Sequence, residues 1–121
     1  MSKTLTLLEI AQESIDYYKD LTKRSVDKND ACVYNGLDNK VCAFSRVIKP
    51  EFRNMLTEGI NANTLLYEEI IEKEHFLSQY AEHSENQEFW IFIQKHHDFS
   101  NNDKEFEKES ESLLRKVKAM M

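Results

Sequence analysis

The longest apolar run in the chain is Phe89-Trp90-Ile91-Phe92-Ile93. It follows Ser84-Glu85-Asn86-Gln87, in which a serine and a glutamine have the spacing of a capping box at a helix start. Because five bulky apolar residues in a row belong in an interior, we predict a buried helix from Glu85 to about His97. The other elements are expected to pack around it.

Helical periodicity extends to both sides of this run. It predicts a helix within residues 5 to 21, a short helix after Pro50 that ends near Gly59, and a helix from Thr64 to Tyr80. The pattern leaves open whether that third helix breaks near residues 73 to 75. A terminal helix is expected to begin after residues 100 to 102. The predicted core consists of Leu8, Ile15, Leu66, Ile70, Phe89, Trp90, Phe92, Ile93, Leu113 and Val117.

Two short runs between the helices favour strands. They are Ala31-Cys32-Val33-Tyr34 and Lys40-Val41-Cys42-Ala43-Phe44, and the turn-forming residues 35 to 39 separate them. We therefore predict a small β-hairpin packed on the helices. The expected fold class is α+β, predominantly helical, with four to five helices and one hairpin.

Composition limits the architecture further. The 121 residues include 2 glycines and 1 proline, too few for turn-rich sandwiches or barrels, and 40% are hydrophobic, too many for a disordered chain. We expect a single domain, residues 1-121. No apolar run approaches the roughly 20 residues of a membrane span, and Glu9 interrupts the N-terminus before a signal-peptide core accumulates. These features predict a cytoplasmic protein without membrane association.

No complete catalytic motif is present. Glu72 and His75 form a single E-x-x-H, His96 and His97 adjoin Asp98 without a recognisable nucleophile, and phosphate-binding glycine loops are missing. We therefore expect no enzymatic activity, no cofactor and no metal.

The two cysteines leave more than one interpretation open. Cys32 and Cys42 lie too far apart for one arm of a zinc knuckle, and we favour two small buried side chains. A reversible disulfide, or a metal site completed by a histidine, remains an alternative.

Charge is distributed unevenly along the sequence. Residues 1 to 50 carry 8 basic and 7 acidic side chains, whereas residues 51 to 121 carry 8 basic and 15 acidic ones, a net charge of −7. Such an acidic region repels nucleic acid and attracts a partner with a basic surface. The alternative is a solvated face without a partner. The candidate partner-binding residues are Glu68, Glu69, Glu72, Glu105, Glu107, Glu109 and Glu111.

A second hypothesis uses the basic residues of the first half. These could contact nucleic acid directly, with Tyr34 or Phe44 available for stacking. The residues of this alternative basic patch are Lys23, Arg24, Arg46 and Lys49.

Three segments carry a resemblance to known proteins. Cys32-Val33-Tyr34, Cys42-Ala43-Phe44-Ser45-Arg46 and Gln94-Lys95-His96-His97-Asp98 resemble the C-x-Y, C-A-x-x-R and Q-x-x-H-D segments of small uncharacterised phage and prophage proteins. The resemblance implies a mobile-element origin, a location in the host-cell cytoplasm and no established chemistry. Because small acidic phage proteins often inhibit host defence, our first hypothesis is an anti-CRISPR-like inhibitor that binds a basic surface of a nucleic-acid-binding effector nuclease.

Overall fold

The computed structural model describes residues 4–26 and 33–121, and the regular elements of this part of the chain are helices joined by turns and loops. Its α-helices are α1 (Leu7–Tyr18), α2 (Ala43–Arg46), α3 (Ala62–Tyr67), α4 (Gln87–Phe99) and α5 (Asp103–Met120). They are joined by the short 3₁₀ helices Leu21–Lys23, Leu37–Asn39, Pro50–Met55, Lys73–His75 and Ala81–His83.

Helix α4 is the central element, as the apolar run predicts. It packs against the other four α-helices, and Asn86 caps its N-terminus by accepting from the Phe89 backbone N–H. Trp90 is fully buried, with its ring centroid 5.3 Å from that of Phe76 and 6.0 Å from that of Phe44. Its indole N–H donates to the His83 carbonyl at 2.9 Å. The core is therefore an aromatic cluster built around one tryptophan.

The predicted β-hairpin is wrong. Residues 33–44 contain only an isolated antiparallel bridge between Asn35 and Val41, and no strand occurs in the described ranges. The end of the second run, Ala43 and Phe44, is helical because Cys42 acts as the N-cap of α2, its Sγ accepting from the Ser45 N–H at 3.4 Å. Cys32 lies outside the described residues. The predicted α+β class is thus replaced by an all-helical one.

The predicted helix from Thr64 to Tyr80 is also wrong. Helix α3 ends at Tyr67 in a Schellman turn, in which the Glu69 N–H donates to the Leu66 carbonyl and the Ile70 N–H to the Leu65 carbonyl. Glu69 takes the left-handed conformation there, with φ of 58°. Ile70 consequently lies beyond the helix and is 39% exposed, contrary to its predicted place in the core.

Most of the remaining predicted core is confirmed. Ile15, Leu66, Phe89, Trp90, Ile93, Leu113 and Val117 are buried, and Leu8 and Phe92 are half-buried against the same cluster. The terminal helices also form near the predicted bounds, with Thr6 and Glu9 in a capping box at α1 and Asn102 capping α5. In the described residues, no helix has both the length and the apolar character needed to cross a bilayer.

Gly36 permits a close crossing of two backbone segments. A Cβ atom at this position would lie 2.6 Å from Ser25 Oγ and 2.8 Å from both the N and O atoms of Val26. Gly59 differs, because its φ is +85° but no atom lies within 4 Å of the added Cβ. One glycine is required for space and the other for backbone conformation.

We expect Gly36→Ala to lower the free energy of unfolding by about 2 to 3 kcal/mol, because backbone atoms must move apart. Gly59→Ala should cost only about 1 kcal/mol, the penalty of a left-handed alanine. Urea denaturation followed by tryptophan fluorescence measures both values. Equal losses in the two variants would contradict the close crossing at Gly36.

Candidate functional site

The four candidate glutamates of α5 do not share one face. At 100° per residue, Glu105 and Glu109 lie within about 40° of each other, as do Glu107 and Glu111, and the two pairs point in nearly opposite directions, about 160° apart. Phe106, Leu113 and Val117 form the apolar stripe between them. We call the half-buried pair, Glu105 and Glu109, the inner row and the exposed pair, Glu107 and Glu111, the outer row.

The three other candidate glutamates lie at the end of α3. Glu68, Glu69 and Glu72 are all exposed around the Schellman turn. Among the described residues, none of the seven candidate carboxylates has a cation within salt-bridge distance. The negative charge predicted from sequence is therefore unneutralised, but it is divided between α5 and the end of α3.

The residues of the predicted basic patch have different neighbours. Lys23 Nζ lies 4.8 Å and Arg46 Cζ 5.1 Å from the centroid of the Tyr17 ring, so these two cations converge on one aromatic side chain. Arg46 is also held by a 3.0 Å salt bridge to Glu13, which accepts the Tyr80 hydroxyl as well. Arg46 thus has a structural role in joining α2 to α1.

The other two basic residues contact other parts of the chain. Arg24 donates from Nε to the His97 carbonyl at 3.0 Å and from Nη2 to the Asp98 carbonyl at 3.1 Å, so its guanidinium covers the end of α4. Lys49 lines a shallow groove together with Glu72 and Glu74. Lys23 and Arg46 thus share one aromatic neighbour, whereas Arg24 and Lys49 have other neighbours.

The Q-x-x-H-D segment organises the polar interior. Gln94 accepts from the Phe44 N–H at 3.0 Å and donates to Asp98 at 2.8 Å, while Asp98 contacts His97 Nδ1 at 2.8 Å. His97 Nε2 accepts from the Ser25 N–H at 3.0 Å. Since Nε2 is an acceptor, the proton of neutral His97 lies on Nδ1 and points to Asp98. These side chains support the fold by satisfying buried backbone groups.

His96, the adjacent residue, is enclosed between α4 and α5. Its Nε2 lies 2.8 Å from Ser110 Oγ, and that hydroxyl donates its proton to the Phe106 carbonyl at 2.7 Å. His96 Nε2 must therefore be the donor to Ser110, which leaves Nδ1 as a buried atom without a partner in the described residues. Burial, with a smaller contribution from His97, lowers the pKa of His96 to about 4.

Cys42 is a free and fully buried thiol. Burial raises the pKa of its thiol to about 12, despite the hydrogen bond from Ser45. Within the described ranges, no group of three or more His, Cys, Asp or Glu side chains is arranged to hold a metal ion. The alternative metal site also requires Cys32, which lies outside those ranges.

Besides the groove at Lys49, two further surface grooves have side chains of mixed chemistry. The first, of about 390 Å³, lies between the start of α3 and the last turns of α4 and has Ile60, Ile91 and Phe99 among its lining. Its carboxylates are already engaged, since Glu58 accepts from the Tyr34 and Asn35 N–H groups and Asp98 contacts Gln94 and His97. The second groove, of about 420 Å³, lies at the end of α3 and includes Tyr67, Glu69 and Glu72.

Comparisons of the chain with protein-family models, with curated proteins and with solved structures find no match. We therefore infer the function from the residues themselves. Sequence reasoning missed Tyr67, Ser84 and Glu85 of the second groove, because it placed Tyr67 within a longer helix and Ser84 in a capping box. The exposed Tyr67 is detectable only once α3 is known to end there.

The pKa of His96 generates a prediction about pH. Because an imidazole in the unfolded chain has a pKa near 6.5, the unfolded state binds the proton first as pH falls. Neutral His96 makes its whole contribution to the free energy of unfolding above pH 6.5. That contribution is lost as the pH falls from 6.5 to about 4. We expect a loss of about 2 kcal/mol at about pH 5 relative to about pH 8, measured by urea denaturation. His96→Phe should reduce this pH dependence, and an unchanged slope would contradict the assignment.

The buried thiol of Cys42 generates a prediction about chemical reactivity. In a Cys32→Ser variant, Cys42 is the only thiol, and we expect it to resist Ellman's reagent at about pH 8 in the folded protein. Full reaction should follow on unfolding in guanidinium chloride. Rapid reaction under native conditions would show that Cys42 is neither buried nor protonated as described.

Proposed function

We propose that this chain is a non-enzymatic inhibitor of phage type that binds a basic surface of a host nucleic-acid-handling protein, such as a CRISPR effector nuclease. The observation that carries the proposal is the set of seven glutamates without salt-bridge partners in the described residues. Carboxylates held on helices and at a fixed turn keep their geometry on binding, which lowers the entropic cost of association. Their field also steers a cationic partner.

The partner's nucleic-acid groove is the expected binding surface. The latter part of the chain carries a net charge of −7, which opposes association with nucleic acid itself and favours the cationic surface that nucleic acid occupies. Binding there excludes the nucleic acid by competition, so inhibition requires no chemistry from this chain.

The test is a competition experiment with a purified effector nuclease and its labelled target oligonucleotide. We expect the chain to raise the apparent Kd of the nuclease for the oligonucleotide. Reversal of the outer row by Glu107→Lys and Glu111→Lys should weaken the chain's own binding by about tenfold at low salt and by less at high salt. Isothermal titration calorimetry at two salt concentrations measures both effects.

Lys104→Glu and Lys108→Glu provide a matched control, because they change charge by the same amount on the same helix but in the opposite direction. This double variant should bind as tightly as the original chain or more tightly. If the original chain and the two double variants bind the nuclease with equal affinity, the interaction is not electrostatic and the proposal is contradicted. If the nuclease binds the oligonucleotide equally well in the presence of the chain, the two do not compete.

Direct binding of nucleic acid is the second candidate function. The convergence of Lys23 and Arg46 on the Tyr17 ring favours it, since cations beside an aromatic ring suit a phosphate and a base. A gel shift at low salt that disappears in Lys23→Glu would support this candidate over the inhibitor. Lys23 is the appropriate position because Arg46 is needed for the salt bridge to Glu13.

A further inference from the structure

The end of α3 displays an aromatic ring to solvent. Tyr67 is 74% exposed, more than any other large hydrophobic side chain in the described residues, and Ile70 nearby is 39% exposed. The Schellman hydrogen bonds, 3.2 Å at Glu69 and 3.0 Å at Ile70, fix the backbone between them. Tyr67 is therefore presented from a defined turn.

A groove of about 420 Å³ lies beside this ring. Glu69 and Glu72 line it from the turn and Glu85 from the segment before α4, against one lysine, Lys73. Its lining thus combines three carboxylates with one ammonium group, an arrangement complementary to a cation.

The buried part of the lining adds an independent observation. Ser84 is 4% exposed and lines the groove, yet its hydroxyl has no hydrogen-bond partner in the described residues. The Ser84 hydroxyl is not sealed in the interior, and Ser84 belongs to the lining of the groove. Leu66, which is 9% exposed, supplies apolar surface beside it, and the nearly fully buried Ile71 lies behind the groove. The groove thus offers an apolar wall, a free hydroxyl acceptor and a carboxylate rim.

We propose that this groove binds an arginine side chain of the basic partner and is the anchoring point of the interaction. The inference rests on the proposed function, because it names the place and the chemistry of the contact. A guanidinium group has planar donors that match carboxylates in pairs, its aliphatic stem packs on apolar surface, and its face stacks on an aromatic ring such as Tyr67. The Ser84 hydroxyl would accept one further N–H.

The test is an NMR titration of the full, ¹⁵N-labelled chain with a capped peptide of alternating glycine and arginine. A peptide with citrulline in place of arginine is the control, since citrulline has nearly the same shape without the charge. We expect the amide signals of residues 66–72 and 84–87 to move with the arginine peptide only. Equal shifts with both peptides, or shifts spread evenly over α5, would overturn the proposal.

Matched variants separate a groove from general charge. Glu69→Gln with Glu72→Gln should weaken binding of the arginine peptide by about tenfold, and Tyr67→Ala by a smaller factor. Glu107→Gln with Glu111→Gln removes the same charge from the outer row of α5 and should have little effect. Equal weakening by the two double variants would reduce the interaction to diffuse electrostatics and contradict the groove. The spectrum of each variant shows directly whether it is folded.

The same variants distinguish this inference from the proposed function. Glu69→Gln with Glu72→Gln could leave binding to the nuclease unchanged while reversal of the outer row weakens it. In that case the inhibitor function is supported, but the groove is not the anchoring point. If the arginine peptide binds in the groove but the chain does not compete with the oligonucleotide, the groove stands and the proposed inhibition fails.

Discussion

The fold depends on the last turns of α4 supplying acceptors to backbone groups of other segments. Gln94 accepts from the Phe44 N–H and His97 from the Ser25 N–H, while Arg24 covers the carbonyls of His97 and Asp98. No sheet is present in the described residues to satisfy these groups. A buried N–H group without an acceptor costs about 1 to 3 kcal/mol, so side chains of one helix replace the hydrogen bonds that strands would otherwise make.

This polar network is continuous with the aromatic core. The ring of Tyr18 packs edge-on against His97 at 4.9 Å, and its hydroxyl donates to the Val41 carbonyl at 2.5 Å. Burial raises the pKa of Tyr18, so the phenol stays a donor over the whole working range of pH. The network faces the interior, whereas the unpaired glutamates lie on α5 and at the end of α3. Glu105 accepts from Asn102, the N-cap of α5, at 2.9 Å, so substitutions in the outer row disturb the fold less than a substitution of Glu105.

The sequence predicted the elements whose pattern is local and missed those decided by a distant partner. The buried helix α4 and the amphipathic α1 and α5 carry their own periodicity and caps. Residues 40 to 44 have β-propensity, but Cys42 and Gln94 supply acceptors to the first N–H groups of α2, and Gln94 is 50 residues away from Phe44. The end of α3 has no glycine signal, because Glu69 occupies the left-handed position. The candidate acidic residues could be named, but not their division between two elements.

That division limits how α5 can imitate nucleic acid. The two glutamates of one row are about 6 Å apart along the helix axis, close to two phosphate steps of about 3.4 Å each along a strand. A flat partner surface meets one row at a time, because the rows point in nearly opposite directions, about 160° apart. Helix α5 therefore presents only two well-spaced charges to such a surface.

Since α3 and α5 both pack on α4, the carboxylates at the end of α3 belong to the same rigid framework. The groove beside Tyr67 adds what a row of charges lacks, a concave and partly apolar site that distinguishes an arginine side chain from a free cation.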